Sequence, residues 1–414
     1  MRILYLHQFF ATRESSLGLI RSYEFSRRFL ARGHQVTVVT SASRLPERFA
    51  QATFSSGEVD GIDVRSVRVA YSNYMSYPRR IISFVAFMFG ATWLSLRAPR
   101  PDVILATSTP LTIGIPAWVT SRLRRVPYVF EVRDLWPEAA IQMGAVRRKS
   151  LLGRSAKWLE RFLYRGAAEI IALSPGMADG VEKEGIRRER IHMVPNSADL
   201  DLFSPGAKDP DLVARFGLED KFVVGYVGAI GPSNDVEGQV PQAAHELRGR
   251  GRDDIAFLIV GDGKSLPALR SIVDEDHLSN VHLAGSMPKS DVPRVTRTAD
   301  VLLTLFADKP ILATNSPNKF FDGLASGRPM IVNSPGWTRK LVEECGCGLF
   351  VAPGDGVALA DAIERLADDH GMRRLMGERA RSLAESRFDR DRLAEQVERV
   401  LESAAASRSE KRTR

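Results

Sequence analysis

The sequence predicts an α/β protein built from two doubly wound halves. Three observations carry that reading. Short apolar runs without clean alternation recur at 102–107, 127–132, 169–173, 222–227, 255–260 and 300–306, the pattern of parallel strands covered on both faces. Helical segments separate these runs, so strand and helix alternate as in a doubly wound sheet. A length of 414 residues exceeds what one hydrophobic core supports and suits two domains.

Composition narrows the class. An apolar fraction of 44% with 26% charged residues is that of a globular protein. A formal charge of +8 implies an anionic partner: nucleic acid, anionic lipid or a phosphorylated substrate. No aromatic-plus-basic RNA-binding pattern, zinc-finger spacing or basic recognition helix is present, which argues against nucleic acid. The two cysteines, Cys345 and Cys347, form a Cys-x-Cys beside Gly346 and Gly348. With no further cysteine to complete a zinc site, they read as a reduced structural pair in a turn. The N-terminal run is too short for a signal peptide and reads as a strand, so the expected compartment is the cytoplasm.

The first half opens with a strand at 2–7, a loop at 8–18 and a helix at 19–32 that turns Tyr23, Phe25 and Phe29 toward the sheet. Gly33 and His34 stop it before a strand at 36–40. Residues 61–71 alternate through Ile62, Val64, Val67 and Val69 as a strand or hairpin. Next comes an uncharged stretch at 81–96 between Arg79-Arg80 and Arg97. At sixteen residues it falls short of the roughly twenty that span a bilayer. It reads as a core helix for most of its length, or as a helix with one apolar face in the headgroup layer. A strand at 101–107 leads through Ser108-Thr109-Pro110 into a helix ending at Arg125. The strand at 127–132 ends in Arg133-Asp134-Leu135-Trp136-Pro137-Glu138, a polar cluster at a carboxyl end, where ligand sites of α/β sheets collect. A helix near 153–166, a strand at 169–174 and a short helix to Gly185 follow. The boundary is expected between Asn196 and Pro205, giving domains 1–200 and 201–402.

The second half repeats the scheme. A strand at 222–227 runs into Gly228-Ala229-Ile230-Gly231. The strand at 255–260 ends in Gly261-Asp262-Gly263-Lys264, and another occupies 281–285. The remainder from 357 to 402 reads as helix, its last part available to cross back onto the first domain, and 403–414 as a disordered basic tail.

The stretch 315–329 organises the second half. It follows the buried strand at 300–306. Ser316 can cap a helix whose first turn takes Pro317, leaving the N–H groups around Asn318 directed toward the strand's carboxyl edge. That geometry binds phosphate, and Lys319 adds a positive charge. Asp322 lies one turn later on the same side, placed to reach a ribose diol.

This stretch resembles the nucleotide-sugar signature of glycosyltransferase family 4, the retaining GT-B-type enzymes. The likeness is greatest to the bacterial subgroup that builds O-antigen and capsule sugars, where a Ser-Pro-Ser-Lys-Leu-Phe-Glu-Tyr-like run occupies this place. The run at 134–138 and the segment Val194-Pro195-Asn196 to Asp199, with Phe203, resemble the same subgroup. The resemblance implies two facing Rossmann-like domains with a cleft between them, the acceptor in the first and a nucleoside-diphosphate sugar in the second. It implies retention without a metal or cofactor, Lys319, Asp134 and Arg133 as catalytic residues, and an acceptor carried on a polyprenyl diphosphate, with peripheral contact to an anionic membrane. Substrate contacts are implied at Gly18, Arg21, Gly228, Gly261, Lys264, Met287, Ser316, Pro317, Asn318 and Asp322. There are departures. The first loop holds Gly18 alone where the family often has a glycine pair. Thr314 stands where a first glutamate is common, and Asp322 replaces the second. The segment 233–237 has two acids and no base where the family supplies an arginine and a lysine to the diphosphate. These departures suit an alternative, a non-catalytic GT-B-fold partner of an active transferase; an epimerase of the same fold lacks a convincing acid–base pair.

Overall fold

The computed structural model describes residues 1–12, 21–72, 75–288 and 290–413. The chain divides into two compact units: Met1–Pro195 with Asp391–Arg414, and Asn196–Arg390.

The first unit contains, in chain order, β1 (Arg2–Leu6), α1 (Arg21–Ala31), β2 (Gln35–Ser41), β3 (Phe54–Val59), β4 (Ile62–Val67), α2 (Tyr77–Arg97), β5 (Val103–Thr107), α3 (Gly114–Arg124), β6 (Tyr128–Val132), α4 (Glu138–Gln142), α5 (Leu151–Gly166), β7 (Glu169–Ala172), α6 (Pro175–Glu182) and β8 (Ile191–Met193). Among the described residues these form an eight-stranded sheet in the order β3-β4-β2-β1-β5-β6-β7-β8, parallel except for the β3–β4 hairpin. The residues of β5 and β6 are all buried, as expected of strands covered on both faces. Ser150 accepts from the Gly153 N–H to start α5, and Ser174 from the Met177 N–H to start α6, with Pro175 in the first turn.

The uncharged stretch becomes part of α2. By length and composition Pro78–Arg97 could cross a bilayer. Instead it lies along β2, β4 and α3, burying Phe87, Ala91 and Ser95. Gly90 allows the close approach: a Cβ there would meet a Val67 methyl at 2.6 Å. The opposite side leaves Ile82, Val85, Phe89 and Trp93 exposed at spacings of three and four, one helical face.

The second unit contains α7 (Pro210–Phe216), β9 (Phe222–Val227), α8 (Val236–Gly249), β10 (Ile255–Val260), α9 (Leu266–Glu275), β11 (Val281–Gly285), α10 (Val292–Thr298), β12 (Val301–Thr304), α11 (Asn318–Ala325), β13 (Met330–Val332), α12 (Trp337–Cys345), β14 (Gly348–Phe350), α13 (Gly356–Asp368) and α14 (His370–Arg387). Its six-stranded sheet, counted over the described residues, runs β11-β10-β9-β12-β13-β14, all parallel. Alternate strand residues feed two cores. Val224, Phe257, Ile259 and Val301 pack with α8, α9 and α13. Val223, Leu258, Leu302 and Met330 pack with Phe320, Phe321 and Ala380 on the other face. Cys345 and Cys347 are both free thiols, and burial pushes Cys347 up to about 12.

The C-terminal region differs from the sequence expectation. The helical run from 357 breaks into α13 and α14, where Asp369 caps the second helix on the Met372 N–H, and then α15 (Arg390–Thr413). Residues 403–413, expected to be a disordered tail, continue that helix. Ala404, Ala405, Ala406, Glu410 and Lys411 are strong helix formers that extend a nucleated helix at little cost. From Asp391 onward α15 belongs to the first unit. Arg32 there pairs with Glu395 and Glu398, and Arg28 with Asp391.

Candidate active site

Each sheet has one point where strand order reverses, between β1 and β5 in the first unit and between β9 and β12 in the second. Loops leaving neighbouring strands there part to opposite faces and leave a crevice at the carboxyl ends. Arg133 and Asp134 lie at the first of these points and Lys319 at the second.

In the first unit the site grows from β1, β5 and β6. His7 follows β1 and is buried. Its Nδ1 lies 2.7 Å from Ser22 Oγ, and its Nε2 lies 3.5 Å from a terminal nitrogen of Arg133. Burial, then Arg133 and Arg44, hold the imidazole well below its ordinary pKa. A neutral ring facing a guanidinium accepts at Nε2, so Nδ1–H donates to Ser22. Arg133 also donates its backbone N–H to Ser108 Oγ at 3.0 Å. Thr109 donates to Asp134 Oδ2 at 2.8 Å. Burial raises the Asp134 pKa, with the Thr109 hydrogen bond and Arg133 opposing.

Behind these groups sits Glu131, a carboxylate inside β6 with 0% exposure. Burial would raise its pKa, but Arg21, then Arg133, and hydrogen bonds from Thr107 and Arg21 more than offset that and hold it low. Arg21 donates to Glu131 Oε1 from Nε at 3.1 Å and from a terminal nitrogen at 2.9 Å. Its remaining bonds go to the carbonyls of Pro195 and Val194. Arg21, implied as a substrate contact, is thus buried, and an acid two strands away claims its guanidinium. Gly18 lies outside the described residues.

The second unit builds its site on β9, β10 and α11. Lys319, second residue of α11, donates to the Tyr226 hydroxyl at 2.6 Å and to Asn234 Oδ1 at 3.0 Å. Its Nζ stands 4.1 Å from the Tyr226 ring centroid. Among the described residues no carboxylate pairs with it, and burial lowers its pKa to about 7. Gly228 and Gly261 let backbone crowd this corner. Gly228 has φ +152°, and a Cβ there would lie 3.3 Å from Lys319 Nζ. Gly261 has φ +155°, and a Cβ there would fall 1.8 Å from the Gly228 carbonyl oxygen.

The start of α11 departs from expectation. Pro317 is the N-cap and makes no side-chain cap bond, and the helix begins at Asn318. Ser316 does not cap it: its Oγ accepts from the Asn196 N–H at 3.2 Å, while Asn196 Nδ2 donates to the Ser316 carbonyl at 2.6 Å. The hydroxyl fixes the helix entrance to the first residue of the unit. Asp322 is buried at 8% exposure. Lys264 is exposed on the turn after β10, and Met287 is half-buried against the core beyond β11. From the segment 233–237, Asn234 contributes an amide that orients Lys319, and the charge of Glu237 acts on Tyr226, the other partner of that lysine. Thr314 turns its hydroxyl to the Ile311 carbonyl at 2.7 Å.

Sequence reasoning missed His7, Glu131, Tyr226 and Asn234. Glu131 did leave a signal, a lone acid within the apolar run 127–132, which requires a buried cation as partner.

Family models agree with this architecture. Residues 20–197 match a Glycosyl transferase 4-like domain, and residues 221–369 match the Glycosyl transferases group 1 domain. The chain belongs to glycosyltransferase family 4. Its relatives include the alpha-D-kanosaminyltransferase of Streptomyces kanamyceticus, 30% identical over 249 residues. That match takes in 58% of this chain and 62% of that enzyme, so the chain spans under two thirds of its length. The UDP-Gal:alpha-D-GlcNAc-diphosphoundecaprenol alpha-1,3-galactosyltransferase of Escherichia coli is 24% identical over 277 residues, 66% of this chain and 68% of that one. Among solved structures, Anabaena HepE in complex with UDP and glucose superposes with a TM-score of 0.71 at 19% identity, covering 97% of this chain and all of that one. WaaG, a glycosyltransferase involved in lipopolysaccharide biosynthesis, gives a TM-score of 0.66 at 15% identity, covering 97% and 99%. The glycosyltransferase thus has the GT-B fold, with two α/β units each built on a parallel sheet.

Proposed function

We propose that this glycosyltransferase moves a sugar from a nucleoside-diphosphate sugar to a lipid-linked saccharide, with retention and without a metal, in the synthesis of a cell-surface polysaccharide. The observation that carries the reading is Lys319: a buried ammonium at the switch point of the second sheet, held by a phenol and an amide and, among the described residues, by no acid. Such a group lacks only an anion, and a diphosphate supplies one.

In this reading the diphosphate lies against Lys319, the first N–H groups of α11 at Asn318, and the backbone exposed by Gly228 and Gly261. Pro317 sets the direction of that helix start, Asp322 receives the ribose diol, and Met287 flanks the base. Lys264 approaches the phosphates from the turn after β10. As the bond from the anomeric carbon to the phosphate oxygen breaks, its electrons pass to the diphosphate, where Lys319 and the N–H groups stabilise the charge. The acceptor oxygen bonds to the same face of that carbon, and its proton passes to the departing phosphate oxygen. In the first unit Arg133 and Asp134 bind the acceptor, Asp134 through a hydroxyl. Arg21 and Glu131 position that corner and touch no substrate.

The lipid-linked acceptor draws support from α2, whose exposed Ile82, Phe89 and Trp93 form an apolar stripe between Arg79-Arg80 and Arg97. A helix of this kind lies in the headgroup layer of an anionic membrane. Thr314 and the acidic segment 233–237 favour a second reading, a non-catalytic partner subunit of an active transferase.

A thermal-shift panel with UDP, GDP, ADP and dTDP separates the two. The transferase reading expects one nucleotide to raise the unfolding midpoint, and the rise to vanish in Asp322→Ala. Stabilisation at a hundred times the dissociation constant is about 2.7 kcal/mol. No shift at millimolar nucleotide would leave the partner-subunit reading standing.

A further inference from the structure

A second basic surface lies on the same side of the first sheet as α2. Helix α2 packs along α3, and α3 along α5. Between α3 and α5 runs a groove of about 410 Å³, lined by Trp118, Arg122, Trp158, Arg161, Phe162 and Arg165 together with Gly166. Its floor is aromatic. Trp158 stacks on Phe162 at 5.3 Å with planes 13° apart, and Trp118 meets Phe162 at 5.0 Å with planes tilted by 56°. Its rim is arginine. Arg161 is engaged by Glu184 at 2.7 Å, whereas among the described residues Arg122 and Arg165 have no carboxylate partner.

Charge on these helices is one-sided. Along α2, α3 and α5 the basic residues are Arg79, Arg80, Arg97, Arg122, Arg124, Arg154, Lys157, Arg161 and Arg165; the acidic residue is Glu160, which is buried and bonded to Lys157 at 2.7 Å. Helices α1 and α15 mix the two signs and pair them. Trp158 is 64% exposed in the middle of this basic surface, and Leu123 at the end of α3 is 68% exposed. An indole held open beside unpaired guanidiniums suits a ligand that is an anion at one end and apolar at the other.

We propose that the α3–α5 groove binds the phosphate of an anionic phospholipid, so that the first unit docks on a bilayer through α2, α3 and α5 together. Arg122 and Arg165 take the headgroup phosphate, and Trp118, Trp158 and Phe162 lie against the glycerol and upper acyl carbons. This rests on the reading that the enzyme works at a membrane surface and names a site for it away from α2. A free phosphate would use the rim and leave the aromatic floor idle, which is why the lipid is assigned.

The test is co-sedimentation of the full chain with vesicles of phosphatidylcholine, with and without phosphatidylglycerol. Wild type, Arg122→Ala/Arg165→Ala, Trp158→Ala and the α2 variant Phe89→Glu are compared. The expected result is binding that requires phosphatidylglycerol and falls about thirtyfold in the double arginine variant. Unfolding midpoint and nucleotide affinity should stay unchanged in that variant, and Trp158→Ala should bind more weakly than wild type. Three outcomes overturn the assignment. If Phe89→Glu loses binding but the arginine variant does not, the membrane reading stands and the groove falls. If millimolar inorganic phosphate at constant ionic strength displaces the protein, the groove is a soluble-phosphate site. If wild type binds no vesicle, the membrane reading falls with it.

Discussion

The two switch points solve opposite electrostatic problems. In the first unit the cation is already matched: Arg21 faces Glu131 at 2.9 Å with both side chains almost wholly buried. In the second, Lys319 has only neutral partners and a pKa lowered to about 7. The Arg21–Glu131 pair is complete without a ligand, so its charges serve the protein. The Lys319 corner is deficient in negative charge, so its stability and its affinity are opposed. The difference teaches which residues to suspect of binding: the unpaired buried charge, more than the paired one, marks the place of an ionic ligand.

Removing charge from each corner gives the sharpest contrast. Glu131→Ala strands the Arg21 guanidinium and should destabilise the first unit by about 3–5 kcal/mol, read by denaturant unfolding. Because the folded-state pKa of Glu131 is depressed, its contribution is present above the unfolded value of about 4.3 and is lost as pH falls through the folded one. Lys319→Met should do the reverse. It abolishes the nucleotide-induced thermal shift and cuts transfer by about 10²–10³-fold, yet leaves the unliganded midpoint unchanged or higher. A loss of unliganded stability comparable to that of Glu131→Ala would break the comparison.

Acidity offers a gentler probe. In the free enzyme Lys319 is charged below about 7 and neutral above it, and a bound diphosphate restores the charge. Nucleotide binding above that pH must therefore take up a proton. Calorimetry in buffers of different ionisation enthalpy should detect the uptake, with affinity falling by at most about tenfold per pH unit and flat in Lys319→Met. The smallest effect belongs to Ser316→Ala, which removes one acceptor from the Asn196 N–H and should cost about 0.5–1.5 kcal/mol, with nucleotide affinity weakened through the orientation of α11.

Much of this was readable before any coordinates. Both sheets follow from apolar runs that proved largely buried, wholly so at 103–107 and 255–260. Arg133 and Asp134 were placed at a strand end by their position after such a run, and Lys319 in the first turn of the helix that follows one. What escaped were partnerships between residues distant in sequence. Nothing local says that Arg21 meets Glu131, 110 residues away, or that Lys319 meets Tyr226, 93 away. The segment 233–237 also hid a contact: Asn234, within a stretch read for its two acids, faces the lysine. Ser316 misled because a hydroxyl before a helix reads as its cap until a competing N–H, from Asn196, is brought in by the fold.

The discontinuity of the first unit has a consequence for biogenesis. The second unit is one uninterrupted segment, whereas the first needs α15, which is made only after the whole second unit has been synthesised. At five to twenty residues per second that interval is roughly 10–40 s. Throughout it Arg32 and His34 lack their acidic partners, Arg28 keeps Glu24 but lacks Asp391, and the surface that later receives Leu393, Val397 and Leu401 stays open. The nascent chain therefore carries an incomplete first unit throughout the synthesis of the second, a window in which chaperones would meet that open surface.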